Sequence, residues 1–164
     1  MAIIVFKTAG CSTPTGSVST YHCGPVPSSA TSGQYGALPA VNLVSRLKVG
    51  TKVDVVGYGV QNFVNGGGPK QEGASGTRYK ATGALLSTQN RNGGEFLRLR
   101  SNAGGTCFGD SGGPNLLGGT RTVLGVTSYG NNAICAGTGY SYRVDTPQAL
   151  RWIRSTAAAH GGSL

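Results

Sequence analysis

After residue 50 the chain is cut into short runs by glycine, and that punctuation limits the folds open to it. The runs are "TKVDVVGYGV" (51–60), "TRYKATGALL" (77–86), "EFLRLRS" (95–101), "GPNLL" (113–117), "RTVLGVTSYG" (121–130) and "GYSYRV" (139–144). Each has the length and the β-branched or aromatic content of a strand, and "TKVDVVGYGV" sets Val53 and Val55 on one face. Gly- and Asn-rich turns separate them. Six such runs predict an all-β sandwich or small barrel. Twenty-nine glycines and seven prolines among 164 residues do not suit a helical bundle. The glycines also lack the fixed period of a collagen-like chain.

The two ends differ from this middle. Residues 2–6, "AIIVF", are a short apolar run consistent with a buried strand, and residues 8–40 are a Gly-, Pro-, Ser- and Thr-rich loop. At the other end "TPQALRWIRSTAAAHGG" predicts one α-helix. Thr146 is its N-cap, Pro147 sits at its first position, Gly161 marks its end, and Leu150, Ile153 and Ala157 share a face. The length fits a single domain with a real core.

Fourteen Lys and Arg against five Asp and Glu give a net charge of +9. Such a balance suits an anionic polymer, a nucleic acid or a membrane surface as partner. The basic residues are dispersed from Lys7 to Arg154, however, without aromatic interleaving, which argues against nucleic acid. No apolar run reaches the length of a membrane span. "MAIIVF" is too short for a signal peptide and lacks its basic n-region. The four cysteines, Cys11, Cys23, Cys107 and Cys135, lack C-x-x-C spacing, so two disulfides are a better reading than a zinc site, even with His22 beside Cys23. Disulfides imply a secreted ancestry, and without a signal peptide the localisation stays open.

The stretch "GGTCFGDSGGP" (104–114) carries the chemistry. Gly109-Asp110-Ser111-Gly112-Gly113 satisfies G-x-S-x-G, the nucleophile elbow of α/β-hydrolases, but that elbow needs a strand before it and a helix after. "GGPNLLGG" is no helix, and the chain lacks alternating helices. The stretch instead resembles the signature of trypsin- and chymotrypsin-like serine proteases. The resemblance continues through "VLGVTSYG", Cys135, "GYSYRV" and "ALRWI", and upstream through "VDVVGYG". It covers residues 41–164 and implies that family's C-terminal six-stranded antiparallel β-barrel with one C-terminal α-helix. Residues 1–40 then read as a remnant strand and linker from the first barrel.

By this resemblance Ser111 is the nucleophile, the Gly109 and Ser111 N–H groups form an oxyanion hole, and Cys107–Cys135 braces the binding pocket. A second bridge, Cys11–Cys23, would pin the early loop. Ser128, Tyr129 and Gly130 match the strand that holds an extended substrate. Gly105 and Thr106 match the pocket floor, where the lack of an aspartate argues against a preference for Lys or Arg side chains.

The resemblance also implies what is missing. The family's histidine and aspartate belong to the first barrel, and "MAIIVF" matches a strand from just after that aspartate. His22 and His160 remain as candidate bases, although neither position approaches the serine in the family. Asp110, which the family pairs with a freed N-terminal amine, is expected to need a new cation or to face water.

The expected activity is hydrolysis of small activated esters, with weak or no action on peptide-like substrates, and with no cofactor or metal. The alternative is a catalytically inactive barrel acting in binding or self-association, including a homodimer through the face the first barrel would cover. A third reading is polyanion binding through the +9 surface, tested by its salt dependence.

Overall fold

In the computed structural model, residues 36–60, 77–87, 94–100, 105–131 and 135–161 are described. They form a short helix α1 (Leu43–Arg46), strands β1 (Lys52–Gly57), β2 (Tyr79–Ser87), β3 (Phe96–Arg100), β4 (Pro114–Leu117), β5 (Val123–Gly130) and β6 (Thr138–Arg143), and helix α2 (Pro147–Ala159). The strands close into one barrel in the order β1-β2-β3-β6-β5-β4, and every pairing is antiparallel. This is the six-stranded barrel with a C-terminal helix that the resemblance implies. The run at 2–6, Cys11, Cys23 and His22 lie outside the described residues.

Strand alternation fills the barrel. Val53 and Val55 of β1, Leu85 of β2, Leu97 and Leu99 of β3 and Leu124 of β5 are buried together, with Val44 of α1. Burying each such side chain contributes about 1.5–3 kcal/mol relative to leaving it exposed. Gly125, beside Leu124, is a point of close packing in the barrel. A Cβ there would lie 2.7 Å from Leu97 Cδ1 and 2.8 Å from the Tyr142 carbonyl oxygen.

Helix α2 starts as its sequence predicts. The Thr146 side chain accepts the Ala149 N–H at 3.2 Å and Pro147 occupies the first turn, while Ala149 and Leu150 are buried. Past its end Gly161 takes φ +77°.

Helix α1 has no counterpart in the sequence reading, because only four residues form it and no side chain caps it. Tertiary bonds hold it. The Val44 N–H donates to Asp145 Oδ2 at 2.8 Å, and the Asn42 N–H donates to the Asp145 carbonyl at 2.9 Å. Asp145 is itself fully buried and takes Arg143 Nε and Nη2 at 2.8 Å each. The guanidinium also reaches the Gly94 carbonyl and Ser45 Oγ. A bidentate pair with its remaining donors satisfied is the arrangement in which burial of two charges is tolerated. Arg143 and Asp145 thus tie α1, the approach to β3 and the start of α2 to one point.

Candidate active site

Ser111 lies in the loop between β3 and β4, and the fold holds this loop from three sides. On the first side, a disulfide joins Cys107 to Cys135, with Cα atoms 5.2 Å apart, so the loop is tied to the β5–β6 connection. On the second, main-chain bonds run between the Gly112 N–H and the Thr127 carbonyl (3.0 Å) and between the Thr127 N–H and the Gly113 carbonyl (2.9 Å). Fully buried Asn115 supports that junction, its Nδ2 donating to Thr127 Oγ1 at 2.9 Å.

The third side is Asp110. Its carboxylate is buried and accepts the Gly59 N–H on Oδ1 at 2.7 Å and the Cys107 N–H on Oδ2 at 2.8 Å. The expected new cation is absent among the described residues, and the side chain does not face water either. Two backbone N–H groups take the place of the ammonium, each donating a hydrogen bond to the carboxylate.

This contact accounts for the "GYG" at 57–59. A Cβ on Gly57 would overlap Asp110 Oδ1, and one on Gly59 would lie 2.7 Å from both carboxylate oxygens. Gly109 needs its glycine twice over, with φ at +92° and the Gly59 Cα 3.1 Å from where a Cβ would stand. Gly57 and Gly59 are residues that sequence reasoning treated only as a strand end. The signal that could have singled them out was the pairing of Gly-x-Gly with a distant aspartate.

Within the loop, the Asp110 N–H donates to the Cys107 carbonyl and the Gly113 N–H to the Asp110 carbonyl. Neither the Gly109 N–H nor the Ser111 N–H meets an acceptor among the described residues. Ser111 is exposed, and its hydroxyl makes no hydrogen bond there either. Unused main-chain donors beside an exposed hydroxyl can stabilise an oxyanion growing on a carbonyl attacked by that hydroxyl.

Beside the loop, β4 ends its pairing with Pro114 opposite Val126, while β5 continues to Gly130. A register shift between Thr127 and Tyr129 marks a bulge against β6. Ser128, Tyr129 and Gly130 are exposed. On the β4 side they have no strand partner among the described residues, so an extended ligand could pair there. Tyr129 stacks on Tyr140 with ring centroids 4.5 Å apart.

Gly105 and Thr106 fall elsewhere. They line a small recess of about 80 Å³ together with Gly57, Lys80 and Asp110, and Ser128, Tyr129 and Gly130 do not line it. Among the described residues, Gly105 and Thr106 thus line a small recess, and Ser128, Tyr129 and Gly130 form an open strand edge.

His160 is exposed at the C-terminal cap of α2, where its N–H donates to the Ala157 carbonyl. No described bond links it to Ser111. No group of acidic, cysteine or histidine side chains fit for a metal ion occurs among the described residues. Asp54, the remaining buried acid, is on β1 three residues before Gly57. The Thr82 hydroxyl, donating at 2.6 Å, and the Gly119 N–H hold its carboxyl below the usual carboxylate range. Burial opposes them, and Lys80 at 3.6 Å assists.

The family model described as Trypsin matches residues 27–153. Among solved structures, human heparin binding protein is similar, with TM-score 0.59 and 22% identity over 77% of this chain and 52% of that one. A scabies mite inactivated protease paralogue, S-I1, is similar with TM-score 0.51 and 18% identity over 76% of this chain and 52% of that one. The chain spans about half the length of these proteins, and at such identity the likeness is one of fold. No curated protein matches the chain.

Proposed function

Because the chain belongs to the trypsin family, we propose that it presents Ser111 as a nucleophile toward short activated esters, with weak or no peptidase activity. The observation that carries this reading is the pair of Gly109 and Ser111 N–H groups without acceptors among the described residues, in a loop held by Asp110 and the Cys107–Cys135 bridge.

The Ser111 oxygen adds to the ester carbonyl, its proton passing to water or to a histidine acting as an inefficient base. The two N–H groups accept the oxyanion, each such donor being worth on the order of 10²–10³ in rate. Collapse breaks the bond to the leaving group and gives an acyl-serine, which water then hydrolyses to restore the hydroxyl. A phenolate departs without help, whereas an amine must be protonated as it leaves. Esters are therefore expected to react before peptides. With no base reaching Ser111 among the described residues, the oxyanion site and binding alone are expected to retain about 10³–10⁴ over the reaction in water.

The test is turnover of a p-nitrophenyl ester and of a matched peptide anilide by the native chain and by Ser111→Ala. The reading expects an ester burst that disappears with the substitution, and no anilide cleavage. Equal ester rates in the two proteins would remove it.

A second reading, a catalytically inactive barrel acting in binding or self-association, is favoured by two observations. The Ser111 hydroxyl has no basic partner among the described residues, and one structural neighbour is itself described as inactivated. A folded, disulfide-intact sample without any burst would support it.

A further inference from the structure

The charge of the described surface is almost all of one sign. Of the five acidic residues, Asp54, Asp110 and Asp145 are buried in the bonds given above, Glu72 lies outside the described residues, and Glu95 alone is exposed. Against it stand the exposed side chains of Arg46, Lys48, Lys52, Arg78, Lys80, Arg100, Arg121, Arg151 and Arg154. Three of these, Arg78, Lys80 and Arg121, line one groove of about 650 Å³ on the outside of the barrel, between the start of β2 and the β4–β5 hairpin. The volume is within the ~300–1,000 Å³ typical of ligand clefts. Its apolar wall includes Leu116 and Val123, and Tyr79 stands 46% exposed beside Arg78 and Lys80. Among the described residues no acidic one lines it, although Lys80 also reaches Asp54 at 3.6 Å.

We propose that this groove binds an anionic polysaccharide through sulfate or carboxylate groups set against Arg78, Lys80 and Arg121. Charge decides against a second copy of the chain as occupant. A symmetric dimer through this face would set the three cations against their own counterparts, and like-charge contact is costly at an interface. Two observations favour a sugar polymer over a nucleic acid. Among the described residues Tyr79 is the only aromatic side chain lining the groove, whereas single-stranded nucleic acids are held by successive stacking platforms. The chain also carries the Cys107–Cys135 disulfide, and disulfides persist in oxidising, extracytoplasmic surroundings, where acidic polysaccharides are the abundant polyanions. The inference concerns a surface separate from Ser111 and stands whether or not that serine turns over.

The experiment is titration of the full chain with fluorescently labelled dextran sulfate at several salt concentrations. It is run on the native protein, on Arg78→Gln/Lys80→Gln/Arg121→Gln, and on Arg151→Gln/Arg154→Gln of α2. Arg78→Gln/Arg121→Gln is added because it leaves the Lys80–Asp54 pair intact if the triple variant folds poorly. The groove variants are expected to weaken binding at least tenfold at low salt and to flatten its salt dependence by roughly one unit of slope per cation removed. The α2 variant should change affinity less than threefold.

Equal losses in the groove and α2 variants would mean a diffuse charge effect and would overturn the proposal. Absence of binding by the native chain would do the same. So would equal groove-dependent affinity for an oligothymidylate of matched charge, or protein-concentration-dependent self-association that shields the groove.

Discussion

The Asp110 carboxylate and the Gly59 N–H meet at 2.7 Å across 51 residues of sequence. That bond connects the end of β1 to the loop carrying Ser111, and glycine at 57 and 59 makes it sterically open. Gly57→Ala or Gly59→Ala would push a methyl group into the carboxylate. Forced overpacking of this kind typically costs about 1–3 kcal/mol. Each variant should therefore lower the thermal midpoint and lose ester reactivity at Ser111, while far-ultraviolet circular dichroism keeps its strand signature. Unchanged reactivity would mean that the loop does not depend on this contact.

The buried Arg143–Asp145 pair supports a second prediction. Asp145→Ala removes the acceptor for the guanidinium and for the Val44 N–H together. Leaving a buried charge uncompensated costs about 3–5 kcal/mol. Chemical denaturation should show a loss of that size, with Arg143→Ala/Asp145→Ala losing less than the sum of the single changes.

Acid sensitivity should trace in part to Asp54. Its carboxyl is held below the usual carboxylate range, chiefly by the Thr82 hydroxyl. A folded-state value below the unfolded one adds stability that is fully present above the unfolded value and is lost as pH falls through the lowered one. The stability difference between native protein and Asp54→Asn should thus be constant above about pH 5 and shrink below about pH 4. Thr82→Val should shrink the native protein's difference in the same window. Urea midpoints measured from pH 6 down to pH 2.5 test both; a difference independent of pH would contradict the assignment.

The disulfide makes a fourth prediction. Cys107 and Cys135 close a loop of 28 residues, for which the chain-entropy account gives about 3–4 kcal/mol. Cys107→Ser/Cys135→Ser should lose stability of that order and release the Ser111 loop from the β5–β6 connection, lowering reactivity as well. The check is denaturation and ester turnover of the double variant beside the reduced native chain.

How much of this was legible in the sequence depended on range. Period-two alternation is local, so Val53/Val55 and the runs around Leu97/Leu99 announced their strands, and Thr146-Pro147 announced α2. The pairing of those strands into a closed barrel came through resemblance, since propensity does not specify which strand lies beside which.

Helix α1 was invisible because its support, Asp145, lies about a hundred residues away. Asp110 shows the same limit at the site. Its expected need for a cation or water followed from the family's ion pair, whereas the backbone N–H groups of Gly59 and Cys107 take its carboxylate. The base for Ser111 was not legible either. His22 falls outside the described residues, and His160 caps a helix without reaching the serine.

The central claim is that the Ser111 loop is assembled as an oxyanion site and that the serine reacts there. The most direct measurement is intact mass after treatment with a fluorophosphonate probe, on the native chain and on Ser111→Ala. A single adduct on the native chain and none on the variant is the expected result. No adduct on a folded sample with Cys107–Cys135 formed, or an adduct that survives Ser111→Ala, would contradict it.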